Sequence, residues 1–143
     1  MDRRELLTGG ALVSIGLYTD LAPAAEALKP KAKGIRVAFM VGAGTNVIDL
    51  AGAWEVFSDT MPPTASGDME MPFHVYTVGP TADVLEAAGG LKIVPNFTVK
   101  TAPQPHVIVV PAQSSTAESL AWLRSASAGT DVTMSVCTGA FQL

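Results

Sequence analysis

Three features of this chain predict an α/β fold with a doubly wound, mostly parallel sheet. An apolar run, Ile35-Arg36-Val37-Ala38-Phe39-Met40-Val41, leads directly into a Gly42-Ala43-Gly44-Thr45 turn and then an amphipathic stretch with helical spacing. His106-Val107-Ile108-Val109-Val110 is apolar on both faces, as suits a central parallel strand covered by helices above and below. A second helix and strand follow and end at Ser135-Val136-Cys137-Thr138-Gly139-Ala140. Such alternation sets helices on both faces of the sheet and functional residues at the carboxyl ends of the strands.

Residues 1–27 read as an export signal. Arg3-Arg4 precedes an apolar stretch from Leu6 to Leu17, and Ala25-Glu26-Ala27 has the Ala-x-Ala form of a cleavage site. The paired arginines resemble a twin-arginine signal, which implies a periplasmic or secreted protein. An amphipathic N-terminal helix on a cytoplasmic protein is the alternative. The stretch falls short of the about 20 apolar residues that span a bilayer, so no membrane span is expected. The chain carries a net charge of −4, and removing residues 1–27 takes away Arg3 and Arg4 against Asp2, Glu5, Asp20 and Glu26. The remainder has no basic excess, which argues against nucleic acid as a partner.

Residues 28–33 form a polar, lysine-rich linker, and residues 34–143 form one domain without internal repeats. After the first strand, a helix is predicted from Val47 to Asp59 with Val47, Leu50, Ala51, Trp54 and Phe57 on its buried face. Met61 to Asp68 is a loop by its Pro, Gly and Ser content, and Phe73 to Val78 is a strand. Val84 to Ala88 and Leu91 to Val94, joined by Gly89-Gly90, predict a hairpin. Beyond the central strand, Ser115 to Ala128 is a helix with Leu120, Trp122 and Leu123 on or near its inner face. Val132 to Val136 is the strand that delivers Cys137.

Cys137 is the single cysteine, so it forms no intrachain disulfide. Two readings of it are open. A cysteine where a strand turns into a helix is lifted out of the sheet, and the N–H groups opening the helix favour its thiolate; Gly139 and Ala140 allow the close approach of such an elbow. Alternatively it is a buried structural thiol, a frequent environment for free cysteine. An oxidising compartment would make a purely structural free thiol a liability.

Three segments together carry a resemblance: Ile48-Asp49-Leu50-Ala51-Gly52-Ala53-Trp54-Glu55-Val56-Phe57, Val110-Pro111-Ala112-Gln113 and Ser135-Val136-Cys137-Thr138-Gly139-Ala140. From about Gly34 to Leu143 the chain resembles the ThiJ/PfpI superfamily, whose fold is flavodoxin-like and class I glutamine amidotransferase-like. Within it the closest likeness is to isonitrile hydratases and to the sensor domains of AraC-type regulators.

The resemblance implies that Cys137 is the nucleophile, that Asp49 is the acid facing it from the first helix, and that Thr138 hydrogen-bonds beside them. It implies an anion site at Ala112 and Gln113, a small electrophilic substrate, a homodimer, and no metal or cofactor. Asp49 has a second reading, an acid in the first helical turn that complements the helix dipole. Glu55 reads as structural or solvated, and His74 and His106 as satisfied strand residues. The sequence departs from the family at Pro111-Ala112-Gln113, where Pro-Gly-Gly is usual, and at Ala53, where proline is common. Family domains also continue past the elbow to a strand that carries a histidine in some members, so the resemblance implies a domain incomplete at its C-terminus. Two functions follow: a cysteine-dependent hydratase or hydrolase, or a non-catalytic binding or sensing domain.

Overall fold

The computed structural model describes residues 34–61 and 71–143; the export signal, the linker and most of the loop after Met61 lie outside the described residues. β1 (Ile35–Met40), β2 (Phe73–Gly79), β5 (Phe97–Thr98), β6 (Val107–Val110) and β7 (Val132–Ser135) form one sheet in the order β5-β2-β1-β6-β7. Every neighbouring pair in it is parallel. The expected doubly wound architecture is therefore present.

The strands alternate as their sequences require. In β1, Ile35, Val37 and Phe39 face one layer, where α1 (Val47–Asp59) lays down Leu50, Ala53, Trp54 and Phe57. Ala38 and Met40 face the other, where α2 (Ala117–Ser127) contributes Trp122, Leu123 and Ala126. All four residues of β6 are buried, which explains its unbroken apolar run. Phe39 packs on Trp54 with ring centroids 5.1 Å apart, and Phe57 meets Phe73 edge-on at 5.0 Å. Such pairs each add about 0.5–1.5 kcal/mol beyond the area they bury.

Four expectations need adjustment. Ala51 is exposed, because the inner face of α1 turns through Leu50, Ala53, Trp54 and Phe57. α2 starts two residues later than expected, since the Thr116 hydroxyl accepts from Ser119 N and caps it there. Its most buried large side chain is Leu123, while Leu120 is half-buried. β5 is an additional edge strand. Asn96, just before it, accepts from Thr77 N at 2.8 Å and Thr77 Oγ1 at 2.9 Å and returns its own N–H to Thr77 Oγ1 at 2.9 Å, which seats Phe97 beside Val78.

The predicted hairpin is β3 (Leu85–Glu86) and β4 (Lys92–Ile93), antiparallel, with Glu86 and Lys92 forming an ion pair. It docks on the turn between β1 and α1, where Gly44 N donates to Glu86 O at 2.8 Å and Ala88 N to Thr45 O at 3.0 Å. No described helix is long and apolar enough to cross a membrane.

One prediction arises from the α2 layer. Burial pushes the Tyr76 phenol up to about 12, with Arg36 opposing only in part, and the hydroxyl donates to Pro103 O at 2.9 Å. An unfolded tyrosine ionises near its model value of 10.0. The folded state therefore binds the proton more tightly, and Tyr76 contributes stability below pH about 10 that is lost as pH rises toward about 12. Denaturant titrations at increasing alkaline pH should show this loss, and Tyr76→Phe should flatten it; an equally steep loss in the variant would assign the effect to another group.

Candidate functional site

Connections from β1 run outward on one side, through α1 to β2, and those from β6 on the other, through α2 to β7. The boundary between β1 and β6 is thus the topological switch point, where ligands bind beyond the carboxyl ends of strands in open α/β sheets. Three segments meet there: the β1–α1 turn with Asp49, the turn after β6 with Ala112 and Gln113, and the elbow after β7 with Cys137.

α1 begins at Asn46, whose side chain accepts from Ile48 N at 3.2 Å and so satisfies one of the orphan donors of the first turn. This start sets Asp49 inward. It is the one buried residue of α1, 8 % exposed, and its Oδ2 accepts from Ala112 N at a long 3.3 Å. A carboxylate that served only the helix dipole would gain its stabilisation while solvated. Burial with one long hydrogen bond instead costs free energy, which favours the reading of Asp49 as a site residue.

The elbow is sharper than an ordinary helix start. β7 ends at Ser135, and Cys137 to Gln142 form a 3₁₀ turn in place of the expected α-helix. Cys137 has φ of 55°, the one positive value at a non-glycine residue among the described residues. A left-handed cysteine costs about 1–3 kcal/mol and persists only where its surroundings impose it. Those surroundings are visible at Gly139: a Cβ there would lie 2.0 Å from Val110 O and 2.9 Å from Pro111 O. Val136 N also donates to Val110 O at 3.0 Å. Cys137 is exposed.

Asp49 and the elbow therefore converge on one segment, Val110 to Gln113, Asp49 through Ala112 N and the elbow through Val110 O. Ala112 O accepts from Asn46 N at 2.8 Å, so both polar groups of Ala112 are committed to α1. The Gln113 backbone N–H makes no hydrogen bond among the described residues. The Gln113 side chain reaches back to Thr45, whose hydroxyl lies 3.0 Å from Gln113 Oε1 and 2.8 Å from Gly42 O, two acceptors for one proton. Gln113 Nε2 is buried without a partner among the described residues.

Thr138 is exposed, and its side chain makes no hydrogen bond among the described residues. Glu55 is exposed on the outer face of α1. His106 Nδ1 accepts from Arg36 N at 2.9 Å, the structural role expected of it, while His74 is exposed on β2. No three described His, Cys, Asp or Glu side chains gather closely enough to hold a metal ion. Two further residues at the site, Ser115 and Gln142, were not among the site residues expected from the sequence. Gln142 Nε2 donates to Gln113 O at 3.0 Å, and Ser115 Oγ donates to Gln142 Oε1. The one sequence signal for Gln142 is that it is the polar residue in an otherwise apolar Ala140-Phe141-Gln142-Leu143 ending.

No protein-family model matches the sequence. No curated protein matches it. Solved structures do. A ThiJ/PfpI family protein from Pseudomonas syringae is 28 % identical over 82 % of this chain, with a TM-score of 0.65. A thiJ/pfpI family protein from Bacillus anthracis aligns over 80 % of the chain at 15 % identity and a TM-score of 0.65. An AraC family transcriptional regulator from Pseudomonas putida aligns over 76 % at 15 % identity and a TM-score of 0.56. The chain spans 48 %, 56 % and 68 % of these three proteins respectively, about half the length of the first two. With a TM-score of 0.65 over 82 % of its length at 28 % identity, the chain has the fold of the DJ-1/ThiJ/PfpI superfamily.

Proposed function

We propose that this protein is an exported, cysteine-dependent enzyme that adds water to a small electrophile of the isonitrile type. The observation that carries the reading is the left-handed backbone of the exposed Cys137, because strain of this kind is stored where a side chain must be presented for chemistry. The buried Asp49 on the neighbouring segment supplies the group that moves protons.

In this reaction the Cys137 thiolate forms a bond to the isonitrile carbon, and that carbon takes a proton from Asp49. The Asp49 carboxylate then deprotonates water, whose oxygen adds to the same carbon. The proton taken from water passes to nitrogen. The carbon–sulfur bond breaks as the carbonyl forms and the hydroxyl proton returns to Asp49, leaving an N-substituted formamide and the thiolate. No oxidant or reductant is consumed. The Gln113 N–H, which makes no hydrogen bond among the described residues, would stabilise negative charge that develops during addition. Thr138, next to the nucleophile, would orient substrate.

Export rests on Arg3-Arg4 and Ala25-Glu26-Ala27. The same reading includes a homodimer, with Ile48 and Val56 of α1, 73 % and 67 % exposed, as apolar side chains that a second copy would cover.

The test is to express the protein in a Gram-negative host, collect it from the periplasm with Leu28 as its first residue, and incubate it with a small isonitrile. Formamide should accumulate over many turnovers. A protein that produces none, and whose melting temperature nevertheless rises with the concentration of an added metabolite, is a binding or sensing domain instead.

A further inference from the structure

The strained elbow at Cys137 is restrained from two sides, and the second is a side chain at the far end of its own turn. Gln142 is half-buried. Its Nε2 donates to Gln113 O at 3.0 Å and its Oε1 accepts from Ser115 Oγ, so one amide bridges two residues of the segment between β6 and α2. Three other polar groups of that segment are held by the β1–α1 turn and α1: Ala112 O by Asn46 N at 2.8 Å, Ala112 N by Asp49, and Ser114 N by Ala43 O at 3.0 Å. The peptide joining Gln113 to Ser114 thus has its N–H on Ala43 and its carbonyl on Gln142. Gln142 joins the cysteine's turn to a segment otherwise anchored to α1, where Asp49 lies.

We infer that Gln142 is a positioning residue, whose bridge to Gln113 O and Ser115 Oγ holds Cys137 in its left-handed conformation and at a fixed place relative to Asp49 and the Gln113 N–H. The inference rests on the cysteine-dependent reading above. A 3₁₀ turn of six residues has few hydrogen bonds of its own, and an unfavourable φ relaxes unless neighbouring contacts over-determine it. Gly139 supplies the steric contact with Val110 O; Gln142 supplies the polar one. A nucleophile displaced by about 1 Å loses on the order of a hundredfold in rate while ground-state binding is little altered.

The test uses the complete chain labelled with carbon-13 at cysteine, which yields a single Cα signal because Cys137 is the only cysteine. Gln142→Leu keeps the bulk of the side chain and removes both hydrogen bonds. It should move the Cys137 signal toward the ordinary right-handed range and lower kcat for isonitrile hydration by about tenfold to a hundredfold, with KM within about twofold. Ser115→Ala, which unties only Oε1, should shift the signal in the same direction by less, and it serves as the decisive variant if Gln142→Leu does not fold. An unmoved Cys137 signal in the folded variant overturns the inference, and so does a rise in KM with kcat unchanged. Absence of turnover in the unsubstituted protein would remove the proposed enzyme instead, and the Cys137 signal alone would then decide the role of Gln142.

Discussion

Cys137→Ser and Asp49→Asn should each lower isonitrile hydration by about a thousandfold or more, and the double variant should lose little beyond either single one. The expectation follows from the shared segment. Asp49 holds Ala112 N while the elbow closes on Val110 O, so the two side chains act across the same few atoms of backbone. A serine at position 137 is a poor nucleophile without a base beside it, and an asparagine at position 49 keeps the shape and the acceptor oxygen toward Ala112 but moves no proton. Both variants should retain the fold, because neither residue belongs to the apolar clusters. Rates measured at saturating and limiting isonitrile would decide it. Losses that multiply in the double variant would mean that the two residues contribute independently, and a fully active Asp49→Asn would return that residue to a structural role.

The largest effect on stability is expected from the smallest substitution. In Gly139→Ala the new methyl would sit 2.0 Å from Val110 O, a main-chain atom of the central strand that has no flexible end to swing aside. Either β6 or the elbow must move. Overpacking of this kind costs about 3 kcal/mol or more, equivalent to a fall in melting temperature on the order of 10 °C. Gly52, inside α1, is the matched control, since a Cβ there meets nothing within 4 Å. Gly52→Ala should stabilise the protein by about 0.5–1 kcal/mol, because alanine loses less backbone entropy in a helix. Thermal melts of the two variants test the contrast, and equal melting temperatures would contradict the close approach at the elbow.

The sequence by itself determined the layered architecture and the place of the nucleophile candidate. β1, α1, β2, the hairpin, β6, α2 and β7 all follow from periodicity and turn chemistry, because a strand or helix writes the burial of its faces into neighbouring positions. Gly139 was legible too, as a small residue following a cysteine at a strand end. What only the tertiary structure decided depends on partners distant along the chain. The Asp49 contact with Ala112 spans 63 residues, that of Thr45 with Gln113 spans 68, and that of Gln142 with Gln113 spans 29. No local pattern encodes such pairings. β5 escaped for the same reason: two residues carry no detectable period, and Asn96 acts as an anchor only once Thr77 stands beside it. The left-handed backbone at Cys137 is likewise tertiary in origin. Cysteine has no preference for that conformation, and it is imposed by the carbonyl of Val110 on one side and the Gln142 bridge on the other.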